Sequence, residues 1–339
     1  MDSLTHIIIG AATGQVMLGK KEGNKALLWG AVAANIPDFD AAFTSLFNPA
    51  SAVLMHRGFS HSILFALIIT PLLGFLIAKI LKSKNTWQWI GLTLVAILTH
   101  SAIDCLNTYG TGIFEPFTNL RVAYDTMPIV DMLLLIPILI TMALALFYSY
   151  KSKARNILSI AVLAFSFAYF GYSILIKEIV NKRVVSQLNQ KNIPYNRFIT
   201  APLPLTNFIW LTVAEDNDGF HYAYQSILEK DSPNYKYIKK NHELLGDYSN
   251  SKAIKQLQRF TKGYYVVEHK NGAVYLNDLR FAGLDLRNND WFVFSFEITG
   301  DYADPNISRS HPNRKITKEN LIAYWESLKT ERKPLNELF

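Results

Sequence analysis

Two histidines five residues apart, His56 and His61, flank an arginine and a glycine in the segment HRGFSHS, directly before an apolar run. Imidazole is a common metal ligand, and polar side chains at the mouth of an apolar segment usually have a function. Similar ligand-type side chains lie at the ends of other apolar segments: His6, the pair Asp38 and Asp40, and the pair His100 and Asp104. We predict that all of these form one metal site at one face of a membrane.

The spacing of the candidate ligands supports this prediction. His100 and Asp104 are four residues apart, so both project from the same face of a helix. Pro37 ends the preceding apolar stretch and directs Asp38 and Asp40 outward. Imidazole and carboxylate ligands together suit zinc, manganese or iron better than calcium or magnesium. Because the candidates outnumber the ligands of one tetrahedral zinc, we expect one or two divalent ions, with zinc the first choice.

Bound ions predict hydrolytic chemistry, since a metal lowers the pKa of its water and a second ion can hold the electrophile's oxygen. Asp38 or Asp104 could act as general base instead of ligand, and the sequence does not decide between them. Arg57 could clamp a phosphate, or it could be an interfacial arginine that snorkels. Asp131 could be an extra carboxylate, and we keep it outside the ligand set. The segment Asn107–Gly112 is either a backbone approach to substrate or a simple turn.

The elements that would position these residues are apolar segments. Four of them, at roughly 20 residues each, are long enough to cross a bilayer. They are Ser62–Leu81, Trp87–Leu106, Pro128–Tyr150 and Ile157–Ile176. Two shorter stretches precede them, Leu4–Leu18 and Ala26–Ile36, and their Gly and Ala residues predict a close helical hairpin. The predicted fold is an α-helical membrane domain with four spanning helices and a short N-terminal hairpin, followed by a soluble, strand-rich mixed α/β domain.

Basic residues are divided unequally between the two ends of these segments. If the helices alternate in direction, one face receives Lys20, Lys21, Lys25, Lys79, Lys82, Lys84, Lys151, Lys153 and Arg155. The short loops of the opposite face receive only Arg57 and Arg121. The positive-inside rule makes the lysine-rich face cytoplasmic. We therefore expect the candidate ligands and the C-terminal domain on the extracytoplasmic side of a plasma membrane.

The domain boundaries predicted from composition are 1–176 for the membrane domain and 177–339 for the soluble domain. Residues 222–228, 264–268 and 291–299 have strand character, and Asn271-Gly272 predicts a β-hairpin. Helices are expected near residues 251–261 and 318–330. The net charge of +7 is spread over the chain without a basic tract, which argues against a nucleic-acid partner. One cysteine excludes an intramolecular disulfide framework, and the first residues lack a signal-peptide pattern.

Four short motifs occur in order along the first half of the chain: MDSLTH, NIPDFD, HRGFSHS and THSAID. With these motifs the chain resembles a family of bacterial membrane-bound, metal-dependent hydrolases, a domain family of unknown function that includes a LexA-regulated inner-membrane member. The resemblance covers roughly residues 1–175. It implies a multi-helix domain in the bacterial inner membrane with His6, Asp38, Asp40, His56, His61, His100 and Asp104 as metal ligands. The family's distant likeness to zinc-dependent phospholipase C proteins implies a phosphoester or lipid-linked substrate.

Other classes of protein are compatible with parts of this pattern. A desaturase-type di-iron oxidase needs adjacent His pairs, and a zinc protease needs His-Glu-x-x-His, neither of which occurs. The non-enzyme alternative is a transporter or assembly factor with a structural metal, which full coordination by protein ligands would favour. Apart from a lipid or phosphoester substrate, the partner that the sequence indicates is the lipid bilayer. The sequence does not identify a protein partner.

Overall fold

The computed structural model of the chain describes residues 1–229, 231–281 and 292–310. They form two compact units. The first consists of Met1–Thr44 and Met55–Ile174, and the second of Ser45–Leu54 and the residues from Leu175 onward. The first unit is helical and contains all the candidate metal ligands, whereas antiparallel strands dominate the second.

The first unit begins with a tight helical hairpin of α1 (Ser3–Glu22) and α2 (Asn24–Asn35). A Cβ atom on Gly14 would lie 2.1 Å from the carbonyl oxygen of Ala26, and one on Gly30 would lie 2.3 Å from that of Gly10. Glycine at these positions therefore allows the two backbones to touch. This is the hairpin that the Gly- and Ala-rich sequence predicts, and it brings the start of α1 to the end of α2.

A long connection follows the hairpin and supplies several candidate ligands. It contains a 3-10 helix at Pro37–Leu46, helix α3 at Pro49–Met55 and a single 3-10 turn at Phe59–His61. The chain then enters the more apolar helices. These are α4 (Ile63–Ile80), α5 (Thr86–Asp104), α6 (Met132–Leu146) and α7 (Lys153–Gln190).

Among the described residues, α4 and α7 are long and apolar enough to cross a membrane. Helix α6 has 15 residues, about 22 Å at 1.5 Å per residue, and is shorter than the predicted span. It starts late because Asp131 has an extended backbone and caps the helix, with its Oδ1 accepting from the Leu133 N–H at 3.0 Å. The structure thus supports two spans, and membrane crossing by α5 and α6 stays a prediction.

The lysine-rich turns of the first unit are held together by polar contacts. The carboxylate of Glu22, at the end of α1, accepts hydrogen bonds from the Asn85 amide at 2.6 Å and from the Ser83 hydroxyl. The Gln15 amide donates to the Tyr150 carbonyl at 3.1 Å. These contacts join the end of α1, the α4–α5 turn and the α6–α7 turn. The basic loops therefore share one end of the unit, remote from the first turn of α1.

The second unit contains two four-stranded antiparallel meanders, each with strands in sequential order. The first comprises β1 (Arg197–Pro202), β2 (Ile209–Glu215), β3 (Gly219–Ser226) and β4 (Lys236–Lys239). Helix α7 runs past the predicted end at Ile176, and neither Gly nor Pro occurs between Ile176 and its last residue, Gln190. Its last turns pack Val180, Val184 and Leu188 against Trp210 of this sheet.

Helix α8 (Lys252–Thr261) precedes the second meander and begins after Ser251, whose hydroxyl accepts from the Ile254 N–H at 3.2 Å. The strands are β5 (Tyr265–Lys270), β6 (Ala273–Asp278), β7 (Ser295–Gly300) and β8 (Pro305–Ser310). Asn271 and Gly272 have φ values of 52° and 77°, as a type I′ turn requires, so the predicted hairpin is confirmed. The helix predicted at 318–330 lies outside the described residues.

Candidate metal centre

Helix termini position the candidate ligands of the first unit. Asp2 caps α1 by accepting from the Thr5 N–H at 2.9 Å, which sets His6 in the first turns of the helix. His61 directly precedes α4, whose N-cap is Ser62. The remaining helical ligands, His100 and Asp104, lie in the last turns of α5. Asp38 and Asp40 follow in the 3-10 helix that continues from α2.

Four of these side chains converge on one point and form what we call the buried group: Asp38, His61, His100 and Asp104. Their ligand atoms all lie within 4.8 Å of one another. His61 Nε2 is 3.4 Å from Asp38 Oδ1 and 3.3 Å from Asp104 Oδ2. His100 Nε2 is 3.6 Å and 3.4 Å from the same two oxygens. Two imidazoles and two carboxylates at such distances make a donor set that could hold a metal ion.

Hydrogen bonds on the far side of each imidazole fix which nitrogen faces this point. His100 Nδ1 is 2.6 Å from the Ala34 carbonyl oxygen, which can only accept, so Nδ1 carries the proton. His61 Nδ1 is 2.9 Å from the Ser60 hydroxyl, which itself donates to Asp40 Oδ2 at 2.5 Å. Both Nε2 atoms are thus left to face inward, as in metal sites where the second nitrogen is held by a carbonyl or carboxylate.

A second set of ligand atoms shares Asp38 with the first, and we call it the partly exposed group: Asp38, Asp40 and His56. His56 Nδ1 lies 2.8 Å from Asp40 Oδ1. Asp40 Oδ2 accepts from the Arg57 backbone N–H at 3.0 Å, which holds the carboxylate against the loop. The His56 side chain is 25% exposed, whereas those of His61 and His100 are fully buried. The two groups therefore differ in their access to solvent.

Several buried polar atoms at the centre make no hydrogen bond. They are His6 Nε2, Asp38 Oδ1, Asp104 Oδ2 and Arg57 Nε. A buried polar atom left without a hydrogen bond costs on the order of 1–3 kcal/mol, so such a concentration needs an explanation. A cation between the ligand atoms would satisfy the lone pairs of Asp38 Oδ1 and Asp104 Oδ2, and Arg57 Nε already faces Asp104 Oδ2 at 3.1 Å. The residues present therefore fit a metal ion.

His6 lies beside the two groups and is a member of neither. Its Nε2 is 3.3 Å from Asp104 Oδ1, and its ring stacks on His100 with centroids 3.8 Å apart. The α-amino group of Met1 also contacts Asp104. The assignment of His6 as a ligand stays a prediction, and the structure shows it buried against the buried group.

Arg57 is buried and its Nε lies 3.1 Å from Asp104 Oδ2, so it counters the charge of a carboxylate that has no contact with solvent. The Tyr109 ring lies 5.2 Å from the Arg57 guanidinium carbon and 5.6 Å from that of Arg121. Arg121 donates to the carbonyls of His56 at 2.9 Å and Gly110 at 2.8 Å. The two arginines thereby brace the loop that carries His56 and His61.

Neighbouring polar side chains keep the carboxylates of Asp38 and Asp40 ionised. Burial alone would raise the pKa of Asp38, but the neighbouring imidazoles of His100 and His61 outweigh it and hold the pKa below its ordinary value. Burial likewise opposes ionisation of Asp40, and hydrogen bonds from His56 and Ser60 lower its pKa. Both side chains are therefore carboxylates at neutral pH, the form in which they bind metals.

The segment Asn107–Gly112 is more than a turn between helices. The Gly112 N–H donates to the Arg57 carbonyl at 2.8 Å, and Gly110 adopts a φ of 83°, which favours glycine. The segment thus packs against the loop of the partly exposed group. Asp131, by contrast, caps α6 and accepts from the Tyr169 hydroxyl at 2.8 Å, and it belongs to neither group.

Three supporting residues were not predicted from the sequence. Ser60 orients His61, Arg121 braces the His56 loop, and Asn107 accepts from Arg57 at 3.4 Å. Arg121 had a detectable signal, because it is one of only two basic residues in the short loops of its face. Ser60 and Asn107 had none, since a serine or asparagine next to a loop is unremarkable without the fold.

The family model for the YdjM inner membrane protein matches residues 1–180, more than half of the chain, which therefore belongs to this family. The uncharacterized protein YfhP of Bacillus subtilis (strain 168) is 30% identical over 200 residues, which are 56% of this chain and 58% of YfhP. Inner membrane protein YbcI of Escherichia coli (strain K12) is 29% identical over 110 residues, 32% of this chain and 63% of YbcI. The chain thus matches less than two thirds of each relative. No solved structure matches it significantly.

Proposed function

We propose that this member of the YdjM inner membrane protein family is a membrane-embedded, metal-dependent hydrolase that acts on a phosphoester or lipid-linked substrate at the extracytoplasmic face. The observation that carries the proposal is the arrangement of two ligand groups around Asp38. A carboxylate shared by two sets of ligands is the arrangement expected of a two-ion centre. Zinc is the ion that we propose first, with manganese or iron as alternatives.

Bound ions would supply an acidified water and a Lewis acid for the electrophile's oxygen. The chain's own residues would divide the remaining work. Asp38 lies where both groups meet, so in a two-ion centre it would be the shared ligand; in a one-ion centre its partial exposure places it better than Asp104 to accept a proton from water. Asp104 is wholly buried against Arg57, which suits it to a fixed ligand. In this proposal the positive charge of Arg57 offsets the negative charge of the carboxylate ligands. A bidentate contact between Arg57 and a phosphate stays a prediction.

The proposed topology follows from the basic loops. The turns after α1, between α4 and α5, and between α6 and α7 meet at one end of the first unit, and together with the helix ends that flank them they contain nine of its basic residues. By the positive-inside rule this end is cytoplasmic, which places the ligand groups on the extracytoplasmic side. The proposal includes crossing by α5 and α6 together with α4 and α7, and it places residues 177–339 outside the cytoplasm.

A non-catalytic role, as a transporter or assembly factor with a structural metal, is favoured by one observation. His61, His100 and Asp104 are fully buried, and a closed set of protein ligands is typical of structural sites. The partly exposed group argues for catalysis, because Asp40 and His56 border solvent. The two functions therefore differ in one testable respect: only the hydrolase requires the partly exposed group to bind an ion that contacts the substrate.

The test is hydrolysis of bis(4-nitrophenyl) phosphate by protein purified in detergent, stripped of metal and reloaded with zinc or manganese. We expect activity to disappear on stripping, to return on reloading, and to be lost in Asp38→Asn while the protein remains folded. Metal-loaded protein that binds ions but cleaves neither this diester nor the matching monoester would support the structural alternative.

A further inference from the structure

An apolar groove lies on the first unit beside the metal centre. It has a volume of about 400 Å³ and is lined by Leu98, Ala102 and Ile103 of α5, by Leu106 just after α5, and by Phe167 and Phe170 of α7. This volume lies within the range of roughly 300–1,000 Å³ that is usual for ligand pockets. Thr99 is the single polar side chain in its lining. The groove therefore offers a ligand apolar contact and almost no hydrogen bonding.

The groove and the metal centre share a wall. Thr99 and Ile103 also line a small cavity bounded by His6 and His100. From Leu98 to its last residue, Asp104, α5 rises about 9 Å at 1.5 Å per residue, so the groove lies along the end of α5 that carries His100 and Asp104. A molecule lying along α5 would thus have its apolar part in the groove and its polar end beside the ligand groups.

The surroundings indicate what occupies the groove. Phe167 is 55% exposed, and α7 is one of the two helices that are long and apolar enough to cross a membrane. In a membrane protein such a surface contacts lipid, and an open apolar groove on it is filled by hydrocarbon. With the proposed metal ions bound, the ligand groups near the end of α5 would attract an anionic headgroup. An amphiphile with an acyl chain meets both conditions.

We propose that the α5–α7 groove binds the acyl chain of a phospholipid substrate and thereby presents the headgroup phosphoester to the metal centre. This inference rests on the proposed function and narrows its substrate to a membrane lipid. The acyl chain would supply binding energy and hold the phosphate near the end of α5 that carries His100 and Asp104.

The test fills the groove without disturbing the core. Ala102 is exposed in the groove, so Ala102→Trp should occupy it, and Ala143→Trp on the exposed face of α6 is the matched control. Dioleoyl phosphatidylglycerol is added to delipidated protein, and bound lipid is counted by native mass spectrometry. We expect wild type and Ala143→Trp to retain one lipid and Ala102→Trp to bind it at least tenfold more weakly.

Hydrolysis gives the second readout. We expect Ala102→Trp to lower the ratio of phospholipid cleavage to bis(4-nitrophenyl) phosphate cleavage at least tenfold, and Ala143→Trp to keep the wild-type ratio. Equal lipid binding by all three proteins would overturn the groove assignment, as would dimers of wild type that Ala102→Trp converts to monomers without a change in bound lipid. If lipid is bound as expected but neither phosphoester is cleaved by metal-loaded wild type, the proposed function fails while the groove still binds lipid, and its occupant is then not a substrate.

Discussion

His61 Nε2 and His100 Nε2 face each other across 3.1 Å, although the two residues are 39 positions apart in the chain. Each imidazole has its Nδ1 engaged elsewhere, by Ser60 or by the Ala34 carbonyl. Two inward lone pairs at this distance repel unless a cation or a proton lies between them. Since Asp38 and Asp104 add two carboxylates to the same point, the arrangement could hold a metal ion.

Removal of either imidazole should therefore remove the ion. In His61→Ala and in His100→Ala we expect the metal content to fall by at least one equivalent per chain while the protein still inserts into the membrane. His269→Ala is the matched control, because His269 is exposed on the second unit. Mass spectrometric metal analysis of the three purified proteins decides the matter. Unchanged metal content in His61→Ala and His100→Ala would mean that these histidines serve packing alone.

A replacement of Ser60 tests the orientation of His61 rather than its presence. In Ser60→Ala the imidazole loses its 2.9 Å partner, so we expect metal affinity about 10- to 100-fold lower. Ser60→Thr keeps the hydroxyl and should bind metal as the wild type does. Competition with a fluorescent chelator measures both affinities. Equal losses in the two variants would point to a steric effect and contradict the proposed hydrogen bond.

The hairpin of α1 and α2 is expected to tolerate no side chain at Gly14. In Gly14→Ala the new Cβ would meet the Ala26 carbonyl at 2.1 Å, and such overpacking costs about 1–3 kcal/mol. Gly171→Ala is the control, because nothing lies within 4 Å of its Cβ position. The midpoints of thermal unfolding in detergent should separate the two variants. A stable Gly14→Ala protein would show that the helices can move apart.

Sidedness can be measured with single cysteines in a Cys105→Ser background. Phe117 follows α5 and is 82% exposed, and Lys82 is exposed in the turn between α4 and α5. We expect a membrane-impermeant maleimide to label Phe117→Cys in intact spheroplasts and Lys82→Cys only after lysis. The opposite pattern of labelling would invert the topology and place the ligand groups at the cytoplasmic face.

The grouping of the candidate ligands was predictable because polar side chains stand out at the ends of apolar segments. His61, His100 and Asp104 each stand at the end of an apolar segment, and the close hairpin follows from its glycines. Contacts across the fold were not predictable. Arg57 pairs with Asp104 from 47 residues away, and only the packed helices bring them together.

The length of α7 shows a second limit of the sequence. Hydropathy falls after Ile176, which suggested the end of a span, yet the helix continues to Gln190. Val180, Val184 and Leu188 are spaced by four residues and pack against the first sheet. Apolar residues repeated every four positions indicate a helix with one apolar face, which here is stabilised by packing against a protein surface. Packing against the sheet therefore extends the helix to Gln190, and the composition of residues 177–190 alone does not reveal this packing.

The number of metal ions per chain tests the central claim most directly. We would measure it by inductively coupled plasma mass spectrometry on wild type and Asp38→Asn, both purified in detergent without chelators. Because Asp38 belongs to both ligand groups, we expect close to two equivalents in the wild type and fewer than one in Asp38→Asn. Wild-type protein without metal, or an Asp38→Asn protein with the same content, would contradict the two-ion centre.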